Sequence, residues 1–378
     1  MTDTGLLVDL YTAATAAVAP GPALTTRLSR LQDSTDSAAR VWILGLGKAA
    51  LPMARAAVDF LAGRTREPAG GIVVTPADGS PVHPAIPVVA GDHPEPGTRS
   101  LAAAEALAAT VSRIGPGDEV WVLLSGGTTS LIGAPVEGIT PAELGALYSL
   151  LLGSGLDITA MNRIRKRFSR WGGGRLARAL VPSRVRVYVV SDVIGDDLAS
   201  IGSGPCVPDS ATAAEVRHSL ESAMLWDGIP EAARRQLVAA EAGEMAETPK
   251  PGDQAFARVT LELIASNKLA LEAAARRAAE LGLEPVVAET PLAGEASAAG
   301  SSVAAKLLHN RARSGIPQPR AGRAFIWGGE TTVSLGPSPT GLGGRCQELA
   351  LAAARDLAGA PDGTALLAAG TDGRDGPT

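Results

Sequence analysis

Short apolar runs alternate with alanine-rich amphipathic stretches along most of this chain, and that alternation restricts the possible folds more than any other feature. Val41–Leu46, Gly71–Thr75, Val88–Ala90, Glu119–Leu124 and Val185–Ser191 are brief, rich in Val, Ile or Leu, and bounded by Gly, Pro or charged residues. That is the pattern of buried strands. Between them Ala49–Ala62, Ser100–Ile114, Pro141–Leu152 and Asn162–Leu180 read as helices. The alternation predicts an α/β fold built on a largely parallel sheet with helices on both faces. A second such pattern follows a Glu/Gly/Pro-rich linker over Glu241–Asp253. It predicts strands at Val259–Ile264, Glu284–Ala288, Arg323–Trp327, Thr331–Leu335 and Thr364–Ala369, with helices at Lys268–Leu281, Ser297–Ser314 and Gln347–Leu357. A chain of 378 residues suits two domains. The expected division is residues 1–235 and 255–378.

Composition narrows the function. A net charge of −5, from 34 basic and 39 acidic residues, gives no general reason to bind nucleic acid, so an anion site has to be built locally. Cys206 and Cys346 stand far apart, in no paired spacing, which points to a reducing cytosol and against a disulfide framework or zinc site. The N-terminus has no Lys or Arg before Arg27, and Asp3 and Asp9 interrupt it, so no signal peptide is expected. No uncharged apolar stretch reaches the length of a membrane span. A cytoplasmic protein is the expectation.

Five loops carry candidate chemistry. Gly45-Leu46-Gly47-Lys48 ends the first strand, where backbone amides can approach an anion and Lys48 can reach a phosphate or carboxylate. The alternative is a tight turn with an exposed lysine. Ser125-Gly126-Gly127-Thr128 follows Leu124 and suits an anion cradle, or else a hydroxyl-rich cap. Asp192, after the strand ending at Ser191, could hold Mg²⁺ or accept a hydroxyl proton. Gly343-Gly344-Arg345, downstream of Glu330, reads as an anion clamp at the mouth of a helix, against which stands an Arg345–Glu330 or Arg345–Glu348 ion pair locking the loop. The final segment, Gly370–Thr378, carries Asp372 and Asp375 as candidate nucleotide or metal ligands, or forms an ordinary turn.

The basic run Arg163–Arg175 is expected to be mostly solvated, although Asn162, Arg165, Lys166 and Ser169 could face an anionic ligand. Four scattered histidines have no metal spacing, and His93 is expected in a core or turn role.

Together these motifs resemble the class II glycerate kinases, the MOFRL family, some of whose members are named hydroxypyruvate reductases. The resemblance runs in order through Gly45–Ala50, Gly91–Pro96, Ser125–Gly127, Asn162–Leu176, Ser191–Pro205, Ser266-Asn267, Gly294–Ala296, Gly328–Thr331, Gly343–Glu348 and Gly370–Thr378. It implies two α/β domains, the larger Rossmann-like, with the active site in the cleft between them. It implies ATP and Mg²⁺ as cofactors and D-glycerate as small-molecule substrate, giving 2-phosphoglycerate, and it leaves room for a homodimer. Lys48 and Arg345 take the positions of the family's proposed catalytic pair. Gly45, Gly47, Ser125, Gly126, Gly127, Thr128, Asn162, Arg165, Lys166, Glu330, Gly343, Gly344 and Asp372 are the implied ATP- and substrate-binding residues, and Asp192 and Asp375 the Mg²⁺ ligands. The chain departs from the family at Cys346, usually Asn, and at Thr128-Thr129-Ser130, usually Gly-Ser-Ala. Family chains normally continue past the position of Thr378, which leaves open whether the second domain is complete. The competing readings are an NAD(P)H-dependent hydroxypyruvate reductase, a kinase for a related sugar acid, and a non-catalytic nucleotide or sugar-acid binder. The first needs a third glycine where this chain has Ala50.

Overall fold

The computed structural model describes residues 3–31, 39–312, 322–336, 341–360, 363–373 and 375–376. The ends of the predicted segments Ser297–Ser314 and Gly370–Thr378 fall outside these. The elements run α1 (Asp3–Ala17), α2 (Pro20–Leu28), β1 (Val41–Leu46), α3 (Ala50–Ala62), β2 (Gly70–Thr75), β3 (Val88–Ala90), α4 (Thr98–Val111), β4 (Glu119–Leu124), α5 (Thr128–Leu131), α6 (Pro141–Leu152), α7 (Ile158–Phe168), α8 (Arg175–Ala179) and β5 (Arg184–Val190). They continue with α9 (Ala213–Ser222), α10 (Glu231–Glu241), β6 (Val259–Ala265), α11 (Asn267–Glu280), β7 (Glu284–Val287), α12 (Ala296–Ala312), β8 (Arg323–Ile326) and α13 (Arg345–Asp356). No helix among the described residues is long and apolar enough to cross a membrane.

Residues 20–264 form one compact unit around a six-stranded sheet of order β3-β2-β1-β4-β5-β6. The pairs β3–β2, β2–β1, β1–β4 and β4–β5 are parallel. Every residue of β1 is buried, which explains its unbroken apolar sequence: helices cover both faces. Trp42, Leu44 and Leu46 point to the side covered by Ala103, Ala104 and Leu107 of α4. Val41 and Ile43 point to Met53, Ala54, Ala57 and Leu61 of α3 and to Leu24 and Leu28 of α2. A separate helical cluster joins α6, α7, α9 and α10 around Leu147, Phe168, Leu220 and Leu237.

Residues 1–19 and 265–378 form the other unit, with the parallel pair β7–β8. This division differs from the expected 1–235 and 255–378 at both ends of the first domain. Leu10 packs with Ala278 and Leu283, and Ala14 with Ala270 and Ala274, so α1 belongs with α11. Both carboxylate oxygens of Asp9 accept from Arg277, at 3.2 and 2.7 Å. At the other boundary, β6 pairs at the edge of the large sheet. The predicted linker is structured within that same unit: Thr248 is buried and donates to Asp209 at 3.0 Å, and Glu247 accepts from the Ala213 amide at 2.8 Å.

Three predicted elements change form. The helix expected over Asn162–Leu180 is divided: α7 ends at Phe168, where Ser169 turns extended, and α8 begins after Gly172-Gly173-Gly174, with φ of +57° at Gly173 and +81° at Gly174, values that disfavour side chains. Thr331–Leu335 makes only an isolated bridge, Glu295 to Thr332, rather than a ladder. Thr364–Ala369 is not a strand among the described residues, although Leu366 and Ala368 bury alternate side chains against Ala296, Ala299 and Leu349.

Leu10→Ala should destabilise this second unit by about 2–5 kcal/mol, the usual range for a buried leucine. Hydrogen exchange should quicken in α11 and stay unchanged in β1 and β4. Faster exchange in the six-stranded sheet instead would contradict the assignment of α1.

Candidate active site

The strand order sets where a ligand can sit. From β1 the sheet grows through β2 and β3 on one side and through β4 and β5 on the other. The carboxyl ends of β1 and β4 therefore flank a topological switch point, where diverging connections leave a crevice. The loops after these two strands are locked together. Lys48 donates its amide to the Gly126 carbonyl at 2.9 Å, and Ser125 donates its amide to Leu46 at 2.9 Å. The Ser125 hydroxyl accepts from the Ala49 amide at 2.9 Å. Gly47 has φ of +119°, and a Cβ there would lie 2.3 Å from Ser125 Oγ, so both conformation and space demand glycine.

Against expectation, the hydroxyls of Ser125 and Thr128 face inward. Both residues are buried, and Thr128 Oγ1 donates to the Ser125 carbonyl at 2.8 Å. They shape the loop.

Three side chains converge on that backbone from three other strand ends. Lys48 follows β1, and its Cε lies 3.3 Å from where a Gly127 Cβ would be. Asp192 follows β5; its Oδ2 lies 1.7 Å from where a Gly126 Cβ would be, so only glycine admits this carboxylate. Asp192 is exposed, and its carboxylate makes no hydrogen bond or ion pair among the described residues. The third is His93, after β3, with Cδ2 and Nε2 at 3.1 and 3.3 Å from the same Gly127 position. Its imidazole pKa is lowered, first by desolvation and then by the charge of Lys48, with Asp192 opposing. The ring is thus neutral near pH 7. Its segment is stapled in place: Ser130 Oγ donates to the Pro94 carbonyl, and a Cβ on Gly91 would lie 2.2 Å from the Leu131 carbonyl. Sequence reasoning gave His93 a core or turn role because spacing alone cannot show that the loop after β3 reaches past β2 to the loops after β1 and β4. The one available signal was its place just after an apolar strand.

The α7 residues have different partners. Lys166 pairs with Asp209 at 3.5 Å, and both side chains are largely buried. Arg165 lies over the Tyr148 ring at 5.1 Å, with its Nε buried and unbonded. Arg167 is buried and ion-paired with Glu247 rather than solvated. Arg175 donates to the carbonyls of Lys166, Arg167 and Ser169, and burial pushes its pKa down to about 10. Among the described residues no hydrogen bond or ion pair joins Asn162, Arg165 or Lys166 to Lys48 or Asp192. Lys166 and Arg167 thus belong to an ion network with Asp209 and Glu247.

In the second unit, Arg345 opens α13 and donates to Glu330 Oε1 at 2.6 Å, the loop-locking pair. Their side chains are 47% and 56% exposed, so the pair is weakly held. The glycines pack the loop tightly: a Cβ on Gly344 would lie 2.4 Å from the Gly376 amide nitrogen, and one on Gly376 would lie 1.8 Å from the Gly343 carbonyl. Asp375, read from sequence as a metal ligand, instead caps α13. Its two oxygens accept from the Cys346 and Gln347 amides at 2.8 and 2.9 Å. Burial raises its pKa, yet these amides outweigh burial and hold it below the ordinary value. Asp372 is exposed in the adjoining turn. The described residues hold no cluster of three or more metal-ligating side chains.

Comparison with known proteins agrees with this architecture. Residues 6–238 match the family described as Domain of unknown function (DUF4147), and residues 323–378 match the MOFRL family. The chain is 36% identical to the glycerate 2-kinase of Pyrococcus horikoshii over 90% of its own length and 74% of that protein. It is 35% identical to the D-glycerate 2-kinase of Thermotoga maritima, over 90% of this chain and 76% of that one. A protein of Agrobacterium vitis provisionally named hydroxypyruvate reductase is 39% identical, over 89% and 73%. The crystal structure of glycerate kinase from Thermotoga maritima superposes with a TM-score of 0.83 at 32% identity, covering 99% of this chain and 84% of that chain. The fold and its crevice define an α/β enzyme class. Within it, this chain belongs to the family of the class II glycerate kinases, with a DUF4147 domain followed by MOFRL.

Asp375→Ala should lower stability by about 1–2 kcal/mol through loss of the cap. A carboxylate with a depressed folded pKa stabilises above its unfolded value, near 3.9. That contribution fades as pH falls through the lower folded value. The deficit should therefore be full at pH 6 and shrink below about pH 4. The Mg²⁺ dependence of activity should not change; a large rise in Mg²⁺ requirement would restore Asp375 as a ligand.

Proposed function

We propose that this chain is an ATP-dependent glycerate 2-kinase, transferring the γ-phosphoryl group of ATP to the 2-hydroxyl of D-glycerate. The observation that carries this is the meeting of Lys48 and an unpaired Asp192 at the Gly126-Gly127 backbone, at the switch point of a parallel sheet. Phosphoryl transfer is mostly positioning and charge neutralisation, so glycine loops with one fixed cation and one open carboxylate suit it. No nucleophilic side chain is needed, because the acceptor hydroxyl attacks phosphorus directly.

Lys48, on a backbone locked by the Gly126 carbonyl, neutralises the transferring group. Glycines at 47, 126 and 127 let phosphate oxygens approach main-chain amides. Asp192 would hold Mg²⁺, for which a single open carboxylate fits, since this ion keeps several waters and takes its other ligands from substrate phosphates. When bound, the ion neutralises charge on the phosphates. Arg345, exposed and only loosely paired with Glu330, is a second anion-binding cation, able to exchange that carboxylate for a phosphate or substrate carboxylate with its planar fork.

The relative named hydroxypyruvate reductase raises the other reading. The chain's own residues disfavour it, because β2 ends at Thr75 and Pro76 follows, without the carboxylate that a dinucleotide fold places there to hold the ribose.

With ATP, Mg²⁺ and D-glycerate the protein should release ADP and 2-phosphoglycerate, while NADH with hydroxypyruvate stays at background. NADH oxidation without ATP turnover would overturn the proposal. Lys48→Ala and Arg345→Ala should each lower kcat by roughly 10²–10³-fold, and Arg345→Lys should recover only part. Asp192→Asn should lower kcat by about 10²-fold or more with little change in Tm. If Arg345→Lys loses only thermal stability, Arg345 is a loop clamp and not an anion ligand.

A further inference from the structure

His93 lies outside every role assigned so far, yet it shares one point with Lys48. The glycine at 127, with φ of +82°, leaves a gap lined on one side by Lys48 Cε and on the other by the His93 ring edge, each 3.3 Å or nearer to the missing Cβ. Two features show that this placement is built. A Cβ on Gly133 would lie 2.4 Å from Pro96, and a Cβ on Gly97 would lie 2.7 Å from Asp92 Oδ2, so glycines seat the 91–97 segment on both flanks. Asp92 further pins that segment to α4 through the Arg99 side chain and amide, both at 2.8 Å. The imidazole itself makes no hydrogen bond among the described residues, and it is open to solvent.

A cation and a neutral imidazole facing one gap differ in what they bind. Lys48 offers only donors and favours the anionic phosphoryl group; the imidazole offers one donor and one acceptor, a match for an alcohol. A hydroxy acid with two neighbouring hydroxyls presents two nearly equivalent nucleophiles. A single hydrogen-bonding ring beside the phosphoryl site can hold one of them in line and keep the other away.

We propose that His93 is a substrate-binding residue that hydrogen-bonds the hydroxy-acid acceptor and thereby selects which hydroxyl is phosphorylated. The proposal rests on the kinase reading above. His93 holds the acceptor while the oxygen–phosphorus bond forms, the bond from the γ-phosphorus to the ADP oxygen breaks with its electron pair going to ADP, and the hydroxyl proton is released to solvent.

The test compares wild type, His93→Phe and His93→Gln in the full chain, using ATP, Mg²⁺ and D-glycerate, with products resolved by ³¹P NMR. His93→Phe should raise KM for D-glycerate about ten-fold, as for one lost hydrogen bond to a polar substrate. KM for ATP should stay within about two-fold, and 3-phosphoglycerate should appear beside the 2-isomer. His93→Gln, which returns a donor and acceptor at similar reach, should recover much of both effects. Calorimetric titration of each protein with D-glycerate alone should show the same order of affinity. Unchanged KM and isomer ratio in His93→Phe, at wild-type Tm, would overturn the assignment while leaving the kinase reading intact. A rise confined to KM for ATP would also overturn it, placing His93 at the nucleotide. A wild-type protein that neither turns over nor binds D-glycerate defeats both readings together.

Discussion

The hydrogen bonds that tie the β1 loop to the β4 loop are the constraint on which the candidate site depends. Lys48 can sit at the crevice only because its own amide is held by the Gly126 carbonyl and the next amide by the Ser125 hydroxyl. Those bonds in turn require Gly47, since a side chain would strike Ser125. A buried serine that uses its oxygen on backbone is therefore as important to the site as the lysine is. Remove the hydroxyl and a half-buried amide loses its partner, a penalty of about 1 kcal/mol, placed directly beside the proposed catalytic cation.

Much of the larger unit was legible from sequence because its signals are local. The strands β1, β3 and β4 match the apolar runs to the residue, since buried parallel strands must be continuously apolar between polar loops. The loops after β1, β4 and β5 were legible for the same reason: each follows a strand, and strand ends in such sheets bear ligands. What was not legible depended on contacts distant in sequence. Helix α1 joins residues 265–378 through small alanine contacts and one Asp9–Arg277 pair, which no window of sequence reveals. Asp375 reads as a metal ligand in a Gly/Asp loop, and only its distance to the Cys346 and Gln347 amides shows it to be a cap. The triple glycine at 172–174 was visible but was absorbed into a helical reading, although glycines at positive φ cannot continue a helix.

Glycines in the two glycine-rich regions do different work. At 126 and 127 they open space for Asp192, His93 and Lys48, so substitution there would displace those side chains. At 344 and 376 they let two backbone segments touch, so substitution there would pry the loop apart. The sequence shows the same residue type in both places and does not distinguish a glycine that makes room for a side chain from one that lets two backbone segments touch.

The electrostatics of the crevice follow from this spacing. Lys48 and Asp192 approach one backbone turn from different strand ends, with no ion pair between them among the described residues. A direct pair would neutralise both and leave neither for substrate. Kept apart by the Gly126-Gly127 turn, each keeps its charge for a partner from solution: an anion for the lysine, a cation for the aspartate. A metal–nucleotide complex offers both at once. Such a complex would satisfy two opposed charges that the fold holds side by side without letting them satisfy each other.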